Sequence, residues 1–364
     1  MINRSPLKTI INQFAVDPNI LSITPIGSGH VNKTYEIKTQ SGVNYLLQKI
    51  NQHVFRDVPA LMHNFEIVTQ HIQQKLRQEN HPMPEQAGLT MIRTLSGSSY
   101  LHDDNQEAWR LLRFINDSYT HELVTDPKLV EEGAYAFGKF QRSIATIDPA
   151  QLKIVIPSFH NLTHRLTLLK KALTVNRYNR VKIVGNEINY IEQMQDRMLL
   201  TQQLLNTQKI PLRITHNDTK INNILFNEAG HALCVIDLDT IMPGVFQFDF
   251  SDTVRTMANT GFEDEIDLEM VSLDTELFKA VASGYLRATR PILTTTEIEL
   301  LSEATHLMPF MIGVRFLTDY LEGDCYFKTS RPDQNLDRAR CQFKLTEDIE
   351  RQKRKLKKII ETLI

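Results

Sequence analysis

The sequence predicts an α+β chain in two lobes. Residues 1–115 form a small five-stranded antiparallel lobe with one main helix, and 116–364 a large, mostly helical lobe. Three observations predict it. Short apolar strand patterns fill the first third; helical periodicity takes over from Pro127; and one strand–loop–strand stretch, Ile214 to Phe226 with Val235 to Asp239, interrupts the helices. A length of 364 residues suits about two domains or one large bilobal unit.

Pro6 to Phe14 carries Leu7, Ile10, Ile11 and Phe14 at helical spacing, and Ser22 to Ile26 reads as the first strand. Gly27-Ser28-Gly29-His30-Val31-Asn32 follows. Glycine-x-glycine between two strands lets backbone approach phosphates closely, although Asn32 stands where G-x-G-x-x-G has its third glycine and a plain hairpin turn reads equally well. Asn44 to Ile50 is a further strand ending in Gln48-Lys49, and a period of two sends these side chains to opposite faces. Glu66, in the helical stretch Leu61 to Leu76, is the candidate partner for a cation on that strand. Thr90 to Leu101 and Trp109 to Ile115 read as the last strands, joined by the turn His102-Asp103-Asp104-Asn105, with Trp109 in the core. Arg113-Phe114-Ile115-Asn116 runs from sheet into helical sequence, a hinge whose backbone can meet an adenine edge.

In the second lobe, Leu129 to Ile144 places Gly133, Phe137, Phe140 and Ile144 on one stripe. His164 to Ala172 and Gln193 to Leu205 continue the helical pattern, with a polar link at Asn176 to Arg180. His160 and His164 have a metal-like spacing but no third ligand nearby. Pro243-Gly244 reads as a turn, and Asp249 or Asp252 as the cap of the helix that follows. Thr296 to Tyr320 holds one or two helices, and Gln342 to Ile364 an amphipathic one whose basic residues form a solvated face.

Composition narrows the function. With 41% hydrophobic and 23% charged residues and a net charge of −2, nothing calls for nucleic acid or an anionic membrane. Three cysteines, Cys234, Cys325 and Cys341, form no metal motif, and no signal-like or membrane-spanning run occurs; reduced thiols in a cytoplasmic protein are expected.

The chemistry concentrates at His216-Asn217-Asp218-Thr219-Lys220-Ile221-Asn222-Asn223 and Asp237. Asp218 follows His216 by two, Asn223 follows Asp218 by five, and Asp237 comes after the next strand. This layout suits phosphoryl transfer: one carboxylate accepts the proton of an attacking hydroxyl, while an amide oxygen and a second carboxylate hold divalent cations. The turn Glu228-Ala229-Gly230 brings Asn223 and Asp237 to one end of a hairpin. There is no G-x-x-x-x-G-K-[ST] loop, and no activation segment of the protein-kinase type follows Asp237.

With glycine loop, small lobe, hinge and H-x-D-x-x-x-x-N hairpin in this order, the chain resembles the aminoglycoside phosphotransferase and choline kinase-like superfamily over most of its length. Gly27 to Asn32, Leu47-Gln48-Lys49-Ile50-Asn51, Thr215 to Lys220, Ile236 to Gly244 and Arg315 to Asp324 liken it, within that group, to the N-acetylhexosamine 1-kinases. The resemblance implies a bilobal protein kinase-like fold that uses ATP and Mg²⁺. It also implies transfer of the γ-phosphoryl group to the anomeric hydroxyl of N-acetylglucosamine or N-acetylgalactosamine. It makes Asp218 the base, His216 the residue orienting the loop, Asn223 and Asp237 the metal ligands, and Glu66 the small-lobe glutamate. The nucleotide then falls to Gly27, Gly29, Gln48 or Lys49, and Arg113 to Ile115. Gln48 departs from the lysine of many kinases.

Lys220, two after Asp218, is placed to reach transferring phosphoryl oxygens. Arg315, Asp319 and Tyr320, near i, i+4 spacing on one helix, are candidate sugar contacts, with His30 and Asn32; Arg315 and Asp319 read equally as a surface ion pair. An aminoglycoside, choline or other small-alcohol kinase of the same fold is the rival. Between Arg315 and Arg340, five cations (Arg315, Lys328, Arg331, Arg338, Arg340) balance five acids (Asp319, Glu322, Asp324, Asp333, Asp337), which favours a neutral acceptor. An inactive nucleotide-binding scaffold is expected to lack the base or a metal ligand, and Asp218, Asn223 and Asp237 are all present.

Overall fold

The computed structural model describes residues 6–26, 31–200, 202–203 and 210–364. Two compact units emerge. The smaller combines Met1–Thr120, Thr146–Pro157 and Ile224–Pro243; the larger combines His121–Ala145, Ser158–Asn223 and Gly244–Ile364. The antiparallel sheet comes first and the helices follow, the predicted α+β order.

In the smaller unit, β1 (Ile20–Pro25), β2 (Lys33–Thr39), β3 (Tyr45–Lys49), β4 (Met91–Ile92), β5 (Leu101–His102) and β6 (Ala108–Arg113) build one antiparallel sheet. Its spatial order is β1-β2-β3-β6-β4, with β5 also on β6. The strand expected over Thr90 to Leu101 is broken into β4 and β5, because the Thr94 hydroxyl accepts the Ser98 N–H (2.9 Å) and closes a turn. Alternation along the strands sends Ile37, Tyr45, Leu47, Trp109 and Leu111 to one face, where they pack on Ile10 and Ile11 of α1 (Pro6–Ile11) and on Phe14. Trp109 is core, its indole N–H donating to Asp103.

The opposite face receives α2 (Val58–Gln78). Asp57 starts this helix by accepting the Ala60 N–H, Pro59 sits in its first turn, and Leu61, Phe65, Val68 and Leu76 are buried. Fully buried Asn64 uses its amide on both sides: it donates to the Lys153 and Ile241 carbonyls and accepts the Lys153 N–H. One side chain thus ties two later stretches of chain to α2. The short helix α3 (Pro84–Ala87) follows.

The larger unit opens with α4 (Pro127–Ile144), capped by Asp126, then α5 (Leu162–Val175), capped by Asn161, and α6 (Gly185–Met198). The short strand β7 (Arg213–Thr215) leads into the motif loop. The hairpin β8 (Ile224–Phe226) and β9 (Ala232–Val235) belongs to the smaller unit and turns at Glu228 to Gly230 as expected. Pro243-Gly244, expected as a turn, is extended. Gly244 is needed there because a Cβ would sit 2.3 Å from the Thr215 hydroxyl.

The larger unit continues with α7 (Phe246–Met257), α8 (Thr275–Thr289), α9 (Thr295–Glu299), α10 (Leu301–Ala304), α11 (Leu307–Glu322) and α12 (Gln334–Leu363). Residues 307 to 321 of α11 are buried all round, so this helix is the axis on which α5, α6 and α12 pack. The last helix starts eight residues before the expected Gln342 and buries Leu336, Ala339, Phe343, Leu345, Ile349, Leu356 and Ile360. Among the described residues, no helix is long and apolar enough to cross a membrane.

Candidate active site

The motif loop of the larger unit is held from below by α7. Asn217 takes a left-handed backbone (φ 67°), so successive N–H groups turn toward one point. The buried Asp249 carboxylate occupies it, accepting the His216 and Asn217 N–H groups (2.8 Å each) and the Gln141 amide. Three residues on, Asp252 accepts the Thr219 N–H (2.8 Å) and the Arg255 guanidinium (2.8 Å). The expected capping role fails: Asp249 and Asp252 lie inside α7, whose cap position is Val245. A helix at 3.6 residues per turn puts both acids on one face, and that face is the seat of the loop. The acidic pair was legible in the sequence; its target was not.

His216 is fully buried between the edges of Phe137 and Phe140, the predicted stripe of α4, with ring centroids 5.5 and 5.8 Å away. Its Nδ1 accepts the Asp218 N–H (3.3 Å). His160 precedes α5 rather than sharing a helical face with His164; its Nε2 donates to the Asn217 carbonyl (3.2 Å). Burial pushes the His160 pKa down to about 3, with Arg315 adding to the shift, so the ring is a neutral donor.

Asp218 keeps 30% of its side chain exposed, and Lys220 Nζ stands 3.3 Å from its Oδ1. Burial raises the Asp218 pKa, but Lys220, His216 and Arg255 together hold it below the ordinary carboxylate range. Asp218 in turn raises the Lys220 pKa. Asn223 donates its amide N–H to the Asp218 carbonyl (2.9 Å) and carboxylate (3.1 Å). That orientation commits the nitrogen and turns Oδ1 away, leaving the oxygen as the atom suited to a hard cation.

A cavity of about 140 Å³ in the same unit is lined by Arg165, Arg315, Asp319, Glu322, Tyr326 and Phe327, among others. Arg315 is nearly buried, its guanidinium 4.8 Å from the Phe159 ring centre and 5.4 Å from that of Phe327. Arg165 donates twice to the Phe159 carbonyl (3.1 and 2.8 Å). Among the described residues, neither arginine forms an ion pair with a carboxylate. Burial lowers both pKa values, and the charge of Arg315 helps bring Arg165 to about 10.

The expected Arg315–Asp319 pair does not form. The Asp319 carboxylate accepts the N–H groups of Cys325, Tyr326 and Phe327 and the Asn335 amide, which fixes the turn carrying Tyr326 and Phe327. Tyr320 turns the other way, its ring under the Arg180 guanidinium at 4.3 Å. Arg165 and Tyr326 join the cavity without a sequence signal, because the packing of α5 on α11 brings Arg165 to Arg315 and the turn held by Asp319 brings Tyr326.

In the smaller unit, Gly27, Gly29 and His30 lie outside the described residues. Lys49 and Glu66 do not pair: Lys49 meets Glu107 (2.9 Å) and Glu66 meets Arg93. Alternation sends Gln48 to the α2 face, where its Oε1 accepts twice from Arg110 (2.9 and 2.8 Å). Asn32 is committed between Asp239 (2.6 Å) and the Asn51 N–H (3.0 Å). Arg113 and Phe114 spend their N–H groups on the Thr90 and Asn44 carbonyls, so neither of these two N–H groups is left for a base edge. Asp237 follows β9 in a left-handed conformation (φ 59°). A larger groove of about 550 Å³ beside α2 is lined by Gln70, Gln73, Gln74, Arg77 and neighbours, and none of the candidate site residues is in its lining.

A two-unit α+β fold with an H-x-D-x-x-x-x-N loop defines a class of phosphotransferase. Residues 22–289 match the profile of the APH phosphotransferase enzyme family, and the chain belongs to that family. An aminoglycoside phosphotransferase from Alicyclobacillus acidocaldarius has a similar fold, with a TM-score of 0.62 at 14% identity over 98% of this chain and 96% of that one. The microcompartment-associated aminopropanol kinase gives 0.62 at 14% identity over 96% and 97%. Amicoumacin kinase in complex with AMP-PNP and Ca²⁺ gives 0.58 at 13% over 97% and 94%. At these identities the likeness is one of fold.

Proposed function

We propose that this phosphotransferase is a kinase that moves the γ-phosphoryl group of ATP to the anomeric hydroxyl of an N-acetylhexosamine. The observation that carries the acceptor class is the cavity in which nearly buried Arg315 and half-buried Arg165 stand without an ion-paired carboxylate, Asp319 and Glu322 also lining it. A polycationic or quaternary-amine acceptor would face two guanidinium groups there, with Asp319 already spent on backbone N–H groups and Glu322 the other acid of the lining, whereas a neutral sugar meets charged donors for its hydroxyl and acetamido oxygens and aromatic walls for its ring. The solved kinases of similar fold include ones named for aminoglycosides and aminopropanol, which bear amines. This cavity argues against such acceptors.

In this reading the acceptor oxygen forms a bond to the γ-phosphorus as the bond to the β-phosphate oxygen breaks, and Asp218 takes the proton. A carboxylate held ionised suits a late proton acceptor, because the anomeric hydroxyl is acidic for an alcohol and most of the catalysis is positioning. His216 orients the loop, and Lys220 neutralises charge on the transferring oxygens. Asn223 and Asp237 would hold Mg²⁺, whose part is to offset charge on the nucleotide phosphates. Support comes from the hairpin: Ile224 stands opposite Val235, so the residues just before β8 and just after β9 leave the hairpin at the same end. Arg113 to Ile115 and the glycine stretch Gly27 to Gly29 remain the nucleotide contacts proposed from sequence, and His30 and Arg315 each remain an acceptor contact proposed from sequence. Asp319 and Asn32 act by positioning, and Tyr320 by packing.

The test is a panel of sugars, choline and aminoglycosides with Mg·ATP. We expect phosphorylation of N-acetylhexosamines only, and none when the anomeric oxygen is blocked; a product from a blocked sugar or an amine overturns the reading. Asp218→Asn should abolish turnover while sparing nucleotide affinity.

A further inference from the structure

The strand position at which many kinases carry a phosphate-side lysine holds Gln48, and the expected Lys49–Glu66 pair is absent. Yet the α2 face of the sheet does hold a cation. Arg110 of β6 is directly opposite Gln48 in the register, and its side chain is 1% exposed. Its guanidinium lies over the Phe65 ring at 4.5 Å, donates through Nε and Nη2 to Gln48 Oε1, and pairs through Nη1 with Asp239 Oδ1. The other Asp239 oxygen accepts the Asn32 amide (2.6 Å).

We infer that Arg110 is the positioning cation of the smaller unit: by clamping Asp239 it fixes both the loop that carries Asp237 and the chain leaving the glycine stretch at Asn32. The inference rests on the proposed reading in one respect, the assignment of Asp237 as a cation ligand. Two aspartates compete for that role in Ile236-Asp237-Leu238-Asp239, and the geometry separates them. Both oxygens of Asp239 are engaged, one by a buried guanidinium, so it serves as an anchor. Asp237 lies two residues earlier, in a left-handed conformation at the start of the single 3₁₀ turn Leu238–Thr240. That turn is gripped twice, at Asp239 by Arg110 and at the Ile241 carbonyl by Asn64 (2.9 Å). Little freedom is left to Asp237.

Gln48 then has a physical reason. A lysine there would face Arg110 across the strand pair, two cations on one buried face, whereas an amide oxygen accepts two guanidinium N–H groups. The fork of Arg110 can hold Gln48 and Asp239 at once, which a lysine could not do with the same geometry.

The test reads Mg·ATP binding to the full chain by calorimetry over a Mg²⁺ series, with no acceptor present, so the identity of the acceptor does not enter. Arg110→Gln should raise the half-saturating Mg²⁺ concentration by roughly tenfold or more, as loss of a residue supporting a metal ligand does. Arg110→Lys should fall between Arg110→Gln and wild type. Asn32→Ala, at a partly exposed position, should shift it in the same direction by less. A folded Arg110→Gln with wild-type Mg²⁺ dependence overturns the inference. If Arg110→Gln does not fold, an unchanged Mg²⁺ dependence in Asn32→Ala overturns it instead. A wild-type chain that takes up Mg·ATP but phosphorylates no hexosamine sinks only the acceptor reading, and the same titration still decides the clamp. A wild-type chain that takes up no Mg·ATP overturns both.

Discussion

Asp249 spends its carboxylate on the backbone of the motif loop, and burial lifts its pKa to about 6, against the pull of His216 and the donors from His216, Asn217 and Gln141. Above that pH the group is an acceptor-only anion. Below it, a proton points at N–H groups that need an acceptor, and the loop loosens. Turnover should therefore fall as pH drops through about 6, the Asp249 value. Asp218 does not set this limb, since its neighbours keep it ionised there. Gln141→Leu removes a donor to the anion, so Asp249 should bind its proton more readily and the acidic limb should move to higher pH. A limb that stays in place in a kcat–pH profile rules this out. At this scale the spacing in the sequence singles out His216, Asp218 and Asn223, and the structure sets them on one loop. The acceptor that seats the loop, some thirty residues on, has the local look of a helix cap because its hydrogen bonds are long-range.

At the level of elements, α4 is pinned between two surfaces. One side of it meets α8 so closely that a Cβ on Gly284 would lie 2.2 Å from the Glu131 carbonyl. Its Phe137 and Phe140 press on His216, and its Gln141 reaches Asp249. Gly284→Ala should thus cost about 1–3 kcal/mol by overpacking, seen as a lower urea midpoint with unchanged slope. Turnover of the folded fraction should drop as well, because α4 cannot shift without moving the loop; full activity would refute that link. Periodicity revealed α2, α4, α5, α11 and α12, where one face or the whole surface is apolar over many turns. It failed for Thr90 to Leu101 and for Pro243-Gly244, where a side-chain turn and a close approach to Thr215 override local preference.

For the whole molecule, the two units carry separable tasks. The Arg315 cavity, proposed for the acceptor, and Asp218 lie in the larger, and the Arg110 clamp in the smaller. Arg315→Met should raise the acceptor KM by roughly 10- to 100-fold, the worth of charge-assisted hydrogen bonds, and leave the Mg²⁺ dependence alone. Equal changes in both quantities would refute the division. By itself the sequence determined the α+β order, the phosphotransferase loop and the family resemblance, since these rest on local periodicity and short fixed offsets. Only the tertiary structure decided that the small-unit cation is Arg110, that Asp249 and Asp252 seat the loop, and that Arg165 and Tyr326 join Arg315. Each depends on side chains brought together from distant positions by strand register and helix packing, which no local spacing records.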